Sequence, residues 1–176
     1  MIQQTHFTFC PGCGKKHIAV HEKNGMKCLD CGYVYFHNCA SAVAAIIETK
    51  DGILLTKRNH APKKNFLDLP GGFSDYNETL ETALRREIRE ELSLDLSRMS
   101  YFGSFPNVYK HKNVTYFTID AFFVCTAKNI SAMNANEELS EVLIVKPKDI
   151  DLEKVAFVSI RNALSKYCET CRKYDK

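Results

Sequence analysis

The sequence predicts an α/β domain over residues 38–176, preceded by a small module at residues 1–37 that lacks a hydrophobic core of its own. Three observations support this. Apolar runs of strand length alternate with two stretches of helical periodicity, at 78–92 and 159–174. Two Cys-x2-Cys pairs stand near the start, at Cys10/Cys13 and Cys28/Cys31. A chain of 176 residues is also long enough for one ordinary domain plus a satellite held together by something other than a core.

Composition agrees with a folded chain: 45% hydrophobic, 26% charged, 8 Gly and 5 Pro, with no repeat or low-complexity segment. Residues 1–6 lack a basic start followed by an apolar run, and the longest apolar stretch, 42–47, is too short to span a bilayer. The expectation is a soluble, cytoplasmic protein that does not bind membranes. Lys and Arg number 24 against 21 Asp and Glu, and a net charge of +3 is too mild to imply nucleic-acid binding by bulk charge.

The front module comes first. Eight cysteines in such a chain fit metal ligation or reduced thiols better than disulfides. Cys10-Pro11-Gly12-Cys13 is separated by fourteen residues from Cys28-Leu29-Asp30-Cys31. Each pair curls backbone around one side of a cation, and together they supply the four thiolates of a closed tetrahedral Zn2+ site. Gly14 and Gly32 follow the two pairs, where tight backbone is needed. Residues 17–20 and 25–27 read as two short strands around a turn. Four thiolates leave no position for water or substrate, so the expected role is structural. His6, His17, His21 and His37 have no spacing that would make them ligands. Cys168 and Cys171 form a third pair without a partner pair, and Cys39 and Cys125 lie in apolar runs as expected core residues.

Strands follow at 42–48 and 53–58, and then the breaker cluster Pro70-Gly71-Gly72, a loop at 73–77 and a helix over 78–92 with Asn77 as its N-cap. Leu84, Ile88 and Leu92 form the stripe that packs on a sheet. Glu87, Glu90 and Glu91 stand at i, i+3 and i+4 on a neighbouring stripe beside Ala83. Three like charges so close repel unless a cation binds, and a hard divalent ion such as Mg2+, which takes carboxylate and phosphate oxygens, suits them. Arg86 reaches Glu90 one turn on. Further strands at 101–105, 114–125 and 141–145 precede the closing helix at 159–174.

The run Gly72-x5-Glu78-x7-Arg86-Glu87-Ile88-x-Glu90-Glu91-x-Ser93-Leu94 resembles the Nudix box, G-x5-E-x7-R-E-U-x-E-E-x-G-U with U apolar. It departs where Ser93 replaces the last Gly, a helix-ending position with positive φ, at an expected cost of about 1 kcal/mol or a shifted cap. The strand–helix order is similar to the Nudix α/β/α sandwich with a mixed sheet. Zinc ribbon followed by Nudix domain resembles the NADH-pyrophosphatase-like members. Those carry an S-Q-P-W type motif after the box, where this chain has Ser104-Phe105-Pro106-Asn107.

The resemblance implies hydrolysis of a nucleoside diphosphate derivative such as NAD(H) or ADP-ribose. Glu87, Glu90 and Glu91, with the Gly71 carbonyl, would ligate Mg2+ or Mn2+, and Arg86 and Glu78 would support the loop and helix. Glu87 is the first candidate for general base, and Glu137 or Glu138 the second. Arg58, Phe105, Tyr109 and Glu138 are candidate substrate-binding residues. Lys57, Lys63, Lys64, Lys110, His111 and Lys112 are cations that could steer a polyphosphate. The expected partner is a small-molecule nucleotide, and a homodimer is compatible with the sequence. The rival reading is a nucleotide-sensing or RNA-binding regulator that uses the zinc ribbon; intact box residues and only Lys15, Lys16, Lys23 and Lys27 in the ribbon argue against it.

Overall fold

The computed structural model describes residues 7–111 and 114–174. The readings on residues 1–6, His6 among them, and on Lys112 lie outside the described residues. The chain divides into two units, Met1–Cys39 and Ala40–Lys176. Among the described residues no helix is long and apolar enough to cross a membrane.

In the first unit, β1 (Ile18–His21), β2 (Gly25–Cys28) and β3 (Val34–Phe36) form an antiparallel sheet in that order. β3 was not expected, because three residues are too few to show a period. Among the described residues of this unit only Cys10, Met26 and Cys28 are apolar and buried, so hydrophobic burial among them gives little stability.

The second unit is built on β4 (Ala40–Thr49), β5 (Gly52–Arg58), β6 (Leu67–Asp68), β7 (Gly71–Phe73), α1 (Leu80–Leu92), β8 (Asp95–His111), β9 (Val114–Lys128), β10 (Leu139–Val145) and α2 (Val158–Tyr174). The main sheet runs β10-β5-β4-β9-β8, with β6 on β5 and β7 on β4. β4 and β9 are parallel and the other pairs antiparallel, so the sheet is mixed. Strand alternation sends Val43, Ala45 and Ile47 to one face, where Leu84, Ile88 and Leu92 of α1 cover them. It sends Ala44 and Ile46 to the other, where Ile160, Ala163 and Leu164 of α2 close the second layer. The result is the expected α/β/α sandwich.

Several local expectations are corrected. The helix begins at Leu80, capped by Thr79, whose hydroxyl accepts from the Thr82 N–H at 3.2 Å; Asn77 instead sits at φ 69° in the loop. Glu78 is drawn out of the helix because its carboxylate accepts from the Asp75 N–H and from Arg86. Ser93 does end the helix in the left-handed region, φ 55°, and donates its N–H to the Arg89 carbonyl, so the cap has not shifted. Gly71 to Phe73 are a strand rather than breaker and loop, because a residue without a Cβ fits against β4: a Cβ on Gly71 would lie 2.1 Å from the Val43 carbonyl oxygen. Cys39 is exposed, since it precedes β4 instead of lying within it, whereas Cys125 is buried.

Candidate active site

The glutamate stripe of α1 lies beside Ala83, Leu84 and Ile88, all buried, so core packing fixes the helix and therefore the roots of the carboxylates. The loop before the helix is fixed by Arg86. Its Nε and Nη2 make a two-pronged contact with Glu78 at 2.9 and 3.0 Å, Nη1 donates to Glu87 at 2.8 Å and Glu90 at 3.2 Å, and Nη2 also donates to the Phe73 carbonyl at 3.0 Å. One planar guanidinium thus ties β7 and its loop to the helix, a geometry that a lysine does not reproduce. The Arg86 guanidinium also holds the Glu78 carboxyl below its usual range.

Glu91 is only 8% exposed and accepts the Gly71 N–H at 2.9 Å. Burial pushes its carboxyl up to about 8, against that hydrogen bond, and the charges of Glu87, Asp68 and Glu138 add to the rise. Burial also raises Glu87, with Arg86 opposing. Gly72 faces the Glu87 carboxylate so closely that a Cβ there would lie 2.5 Å from its Oε1. Glu90 is the exposed member of the set, its side chain 58% accessible.

Two further acids join them. Glu138 lines the same cavity as Gly71 and Glu91. Its loop is tied to α1 and β5 by the Asn136 N–H donating to the Glu91 carbonyl and the Asn59 N–H donating to the Glu138 carbonyl. Asp68, absent from the sequence reading, lies at the bottom, with burial pushing its carboxyl up to about 6 against the pull of Arg58 at 2.8 Å. Its signal was a single acid in the apolar run Leu67-Asp68-Leu69.

Arg58 is largely engaged by the protein: it donates to Asp68 and the Pro62 carbonyl and stacks on Phe157 at 4.9 Å. Tyr109 lines the cavity and packs on Phe73 at 5.7 Å and Phe157 at 5.6 Å. Phe105 packs edge-on against the buried Phe122 at 5.8 Å and is not among the residues that line the cavity; Asn107, two residues on along the same face of β8, does line it. Lys57 pairs with Glu141 at 3.4 Å.

The donor set suits a divalent cation. Asp68, Glu91 and Glu138 place three carboxylates on one cavity, Glu87 lies against Gly72 of its lining, and Glu91 meets a backbone amide there but no basic side chain among the described residues. Glu87, Glu90 and Glu91 stand wider apart than a closed ligand shell, because among the described residues only the cysteines bring three or more ligand atoms within 4.8 Å of one another. Arg86 sits between Glu87 and Glu90.

The cysteine set is closed. Cys10 Sγ and Cys31 Sγ are 3.7 Å apart, as are Cys13 Sγ and Cys28 Sγ, against the edge of about 3.8 Å that zinc–sulfur bonds of about 2.3 Å give a tetrahedron. Backbone N–H groups of Cys31 and Asp30 lower the Cys28 thiol to about 7, favouring the thiolate. The four cysteines can therefore hold zinc.

Comparison with known proteins agrees with this architecture. The family model for the NUDIX domain matches residues 38–165. The NAD-capped RNA hydrolase NudC of Vibrio atlanticus is 30% identical over 123 residues, covering 68% of this chain and 45% of that protein. The NudC of Haemophilus influenzae is 30% identical over 125 residues, 68% of this chain and 47% of that one. The chain spans about half the length of these curated relatives. The crystal structure of a NUDIX hydrolase from Nitrosomonas europaea superposes with a TM-score of 0.70 at 26% identity, covering 92% of this chain and 90% of that one. The fold and the glutamate helix thus define a Nudix-type domain, and the chain belongs to the NUDIX family.

Proposed function

We propose that the chain hydrolyses a pyrophosphate bond in a nucleoside diphosphate derivative, of the NAD(H) or ADP-ribose type, assisted by Mg2+ or Mn2+. The observation that carries this reading is the convergence of Glu91, Glu138 and the Gly71-Gly72 strand on one cavity, with the Glu87 carboxylate held against Gly72. Members of the family need divalent metals, and the NudC relatives carry NAD in their name. Glu87, Glu90, Glu91 and the Gly71 carbonyl would hold the ion. When bound, it would shield the phosphate charge and make water a better nucleophile.

The remaining work falls to the protein's own groups. Arg86 holds the loop and Glu87 in position through its five contacts. Glu138, which lines the same cavity from a loop, takes the proton of the attacking water; Glu87, already assigned to the metal and tied to Arg86 at 2.8 Å, is the alternative base. Tyr109 and Phe157 offer aromatic faces to the nucleoside, and Arg58 stiffens that wall. Cys10, Cys13, Cys28 and Cys31 would hold Zn2+ for stability.

A panel of NAD(H), ADP-ribose, dinucleoside polyphosphates, sugar nucleotides and oxidised nucleotides, read by phosphate or AMP release in Mg2+, tests the reading. Turnover of at least one compound is expected, with Glu90→Gln and Glu138→Gln each about 100-fold slower or worse. No turnover above the Glu90→Gln control would sink it. RNA enters because the relatives are named for capped RNA; binding of uncapped RNA with a steep salt dependence would favour the regulator reading instead.

A further inference from the structure

One buried acid of the cavity has no task in the chemistry above. Asp120 lies in the middle of β9, 8% exposed, in the otherwise apolar run Ile119-Asp120-Ala121-Phe122. Its Oδ1 accepts from the Thr118 hydroxyl at 2.6 Å and its Oδ2 from the Ser159 hydroxyl at 2.5 Å. Thr118 is 4% exposed and Ser159 fully buried. Among the described residues no Lys, Arg or His forms an ion pair with Asp120. A carboxylate has about four lone-pair positions, and two hydroxyls occupy two of them. Ser159 belongs to the first turn of α2, whose N-terminal dipole helps to hold the charge.

Asp120 also lines the cavity, of about 230 Å3, together with Asn107 and Phe122. Aromatic rings line it as well: Phe157 packs on Tyr109 at 5.6 Å, and Phe73 packs on Tyr109 at 5.7 Å. Gly71, Glu91 and Glu138 also line this cavity. It therefore combines acidic groups suited to a metal and phosphates, aromatic rings and a buried hydrogen-bond acceptor. A planar heterocycle between aromatic faces presents its edge, and a buried carboxylate there favours an edge that donates N–H and disfavours one that carries only acceptors.

We infer that Asp120 is a specificity-determining residue, accepting a hydrogen bond from an exocyclic N–H2 group on the planar ring of the substrate, as carried by adenine or by a pyridine carboxamide. The inference rests on the nucleotide reading above for the orientation of the phosphates. Thr118 and Ser159 fix the carboxylate, so that it meets the ring without first reorganising.

The test is binding, read by calorimetry in metal-free buffer, so it does not depend on turnover. The probes are AMP against purine riboside 5′-monophosphate, which lacks the amino group, and nicotinamide mononucleotide against nicotinic acid mononucleotide, which lacks the carboxamide N–H2. Wild type is expected to prefer the N–H2 member of one pair by about 10- to 100-fold, the range of a hydrogen bond to a charged group. The pair that shows the preference identifies the ring. Asp120→Asn, nearly isosteric, is expected to bring that ratio close to one with little change in affinity for the other member. A purely structural role for Asp120 would weaken both members alike. Equal binding of both members by wild type, no measurable binding of any probe, or an unchanged ratio in Asp120→Asn would each overturn the inference. If the preference holds while the substrate panel shows no turnover, the hydrolase reading fails and the base site stands.

Discussion

Replacing Gly72 by Ala presses on the carboxyl group of one proposed metal ligand, Glu87, and on little else. Gly72 is outside the left-handed region, so Ala fits its backbone. The backbone itself is held, because Gly72 pairs with Val43 in the sheet. The new Cβ would lie 2.5 Å from Glu87 Oε1. Reaching 3.0 Å, the shortest separation that real Cβ atoms show, requires a shift of 3.0 − 2.5 = 0.5 Å, and ordinary contact at 3.4 Å requires 3.4 − 2.5 = 0.9 Å. Glu87 cannot swing without stretching its 2.8 Å contact with Arg86. A misplacement of about 1 Å at a reacting centre costs about 100-fold in rate, so kcat/KM should fall about 10- to 100-fold. Stability should change little: part of one charge-assisted hydrogen bond, worth about 1.5–3 kcal/mol in full, is set against about 0.4–1 kcal/mol from a stiffer unfolded chain. Steady-state kinetics on the best substrate of the panel, a Mg2+ titration and a melting curve measure all three. A variant with kcat/KM within about two-fold of wild type and unchanged metal affinity would refute the proposed placement of Glu87. An unfolded variant would show instead that Gly72 serves the backbone.

Two other outcomes are expected. Glu91 is raised from the ordinary carboxylate range to about 8, so folding favours its protonated form; that contribution is complete at low pH and is lost as pH rises towards about 8, at up to about 1.4 kcal/mol per pH unit. In metal-free protein, Glu91→Gln should therefore melt higher than wild type at pH 8 and at about the same temperature at pH 4, and a difference independent of pH would contradict the assignment. The wild-type chain is expected to bind about one equivalent of zinc, and Cys28→Ser to abolish it and expose the amides of β1 to β3 to rapid hydrogen exchange, since structural zinc binding provides about 10–16 kcal/mol in small zinc modules; zinc retained at full stoichiometry would rule out the four-cysteine site.

Much of this molecule was legible in the chain because its signals are local. Two Cys-x2-Cys pairs specify one tetrahedron, and the Leu84, Ile88, Leu92 stripe specifies the buried face of a helix. What the sequence did not disclose depends on contacts between distant segments. The start of α1 went to Thr79 because Glu78 is claimed by Arg86 and the Asp75 amide. Gly71 to Phe73 became a strand because β4 offers an edge that a Gly can approach. Phe105 and Asn107 share a face of β8, and only the packing of Phe122 decides which of them meets the cavity. Asp68 and Asp120 are single acids in apolar runs, and their meaning appears only when β4 to β9 and both helices bring them to one cavity.

Among the described residues the sheet ends on β8, a strand of seventeen residues paired with β9 alone. Such a long outer strand invites fibrous stacking, and this one carries its own interruptions. Its register slips between Leu96 and Arg98 and again between Tyr101 and Gly103, and Pro106 withholds an N–H near its middle. Any second chain that tried to extend the sheet along this border would meet two kinks and a missing donor. The protein can thus keep a long hairpin, needed to carry Asn107 and Tyr109 to the cavity, without offering it as a template for aggregation.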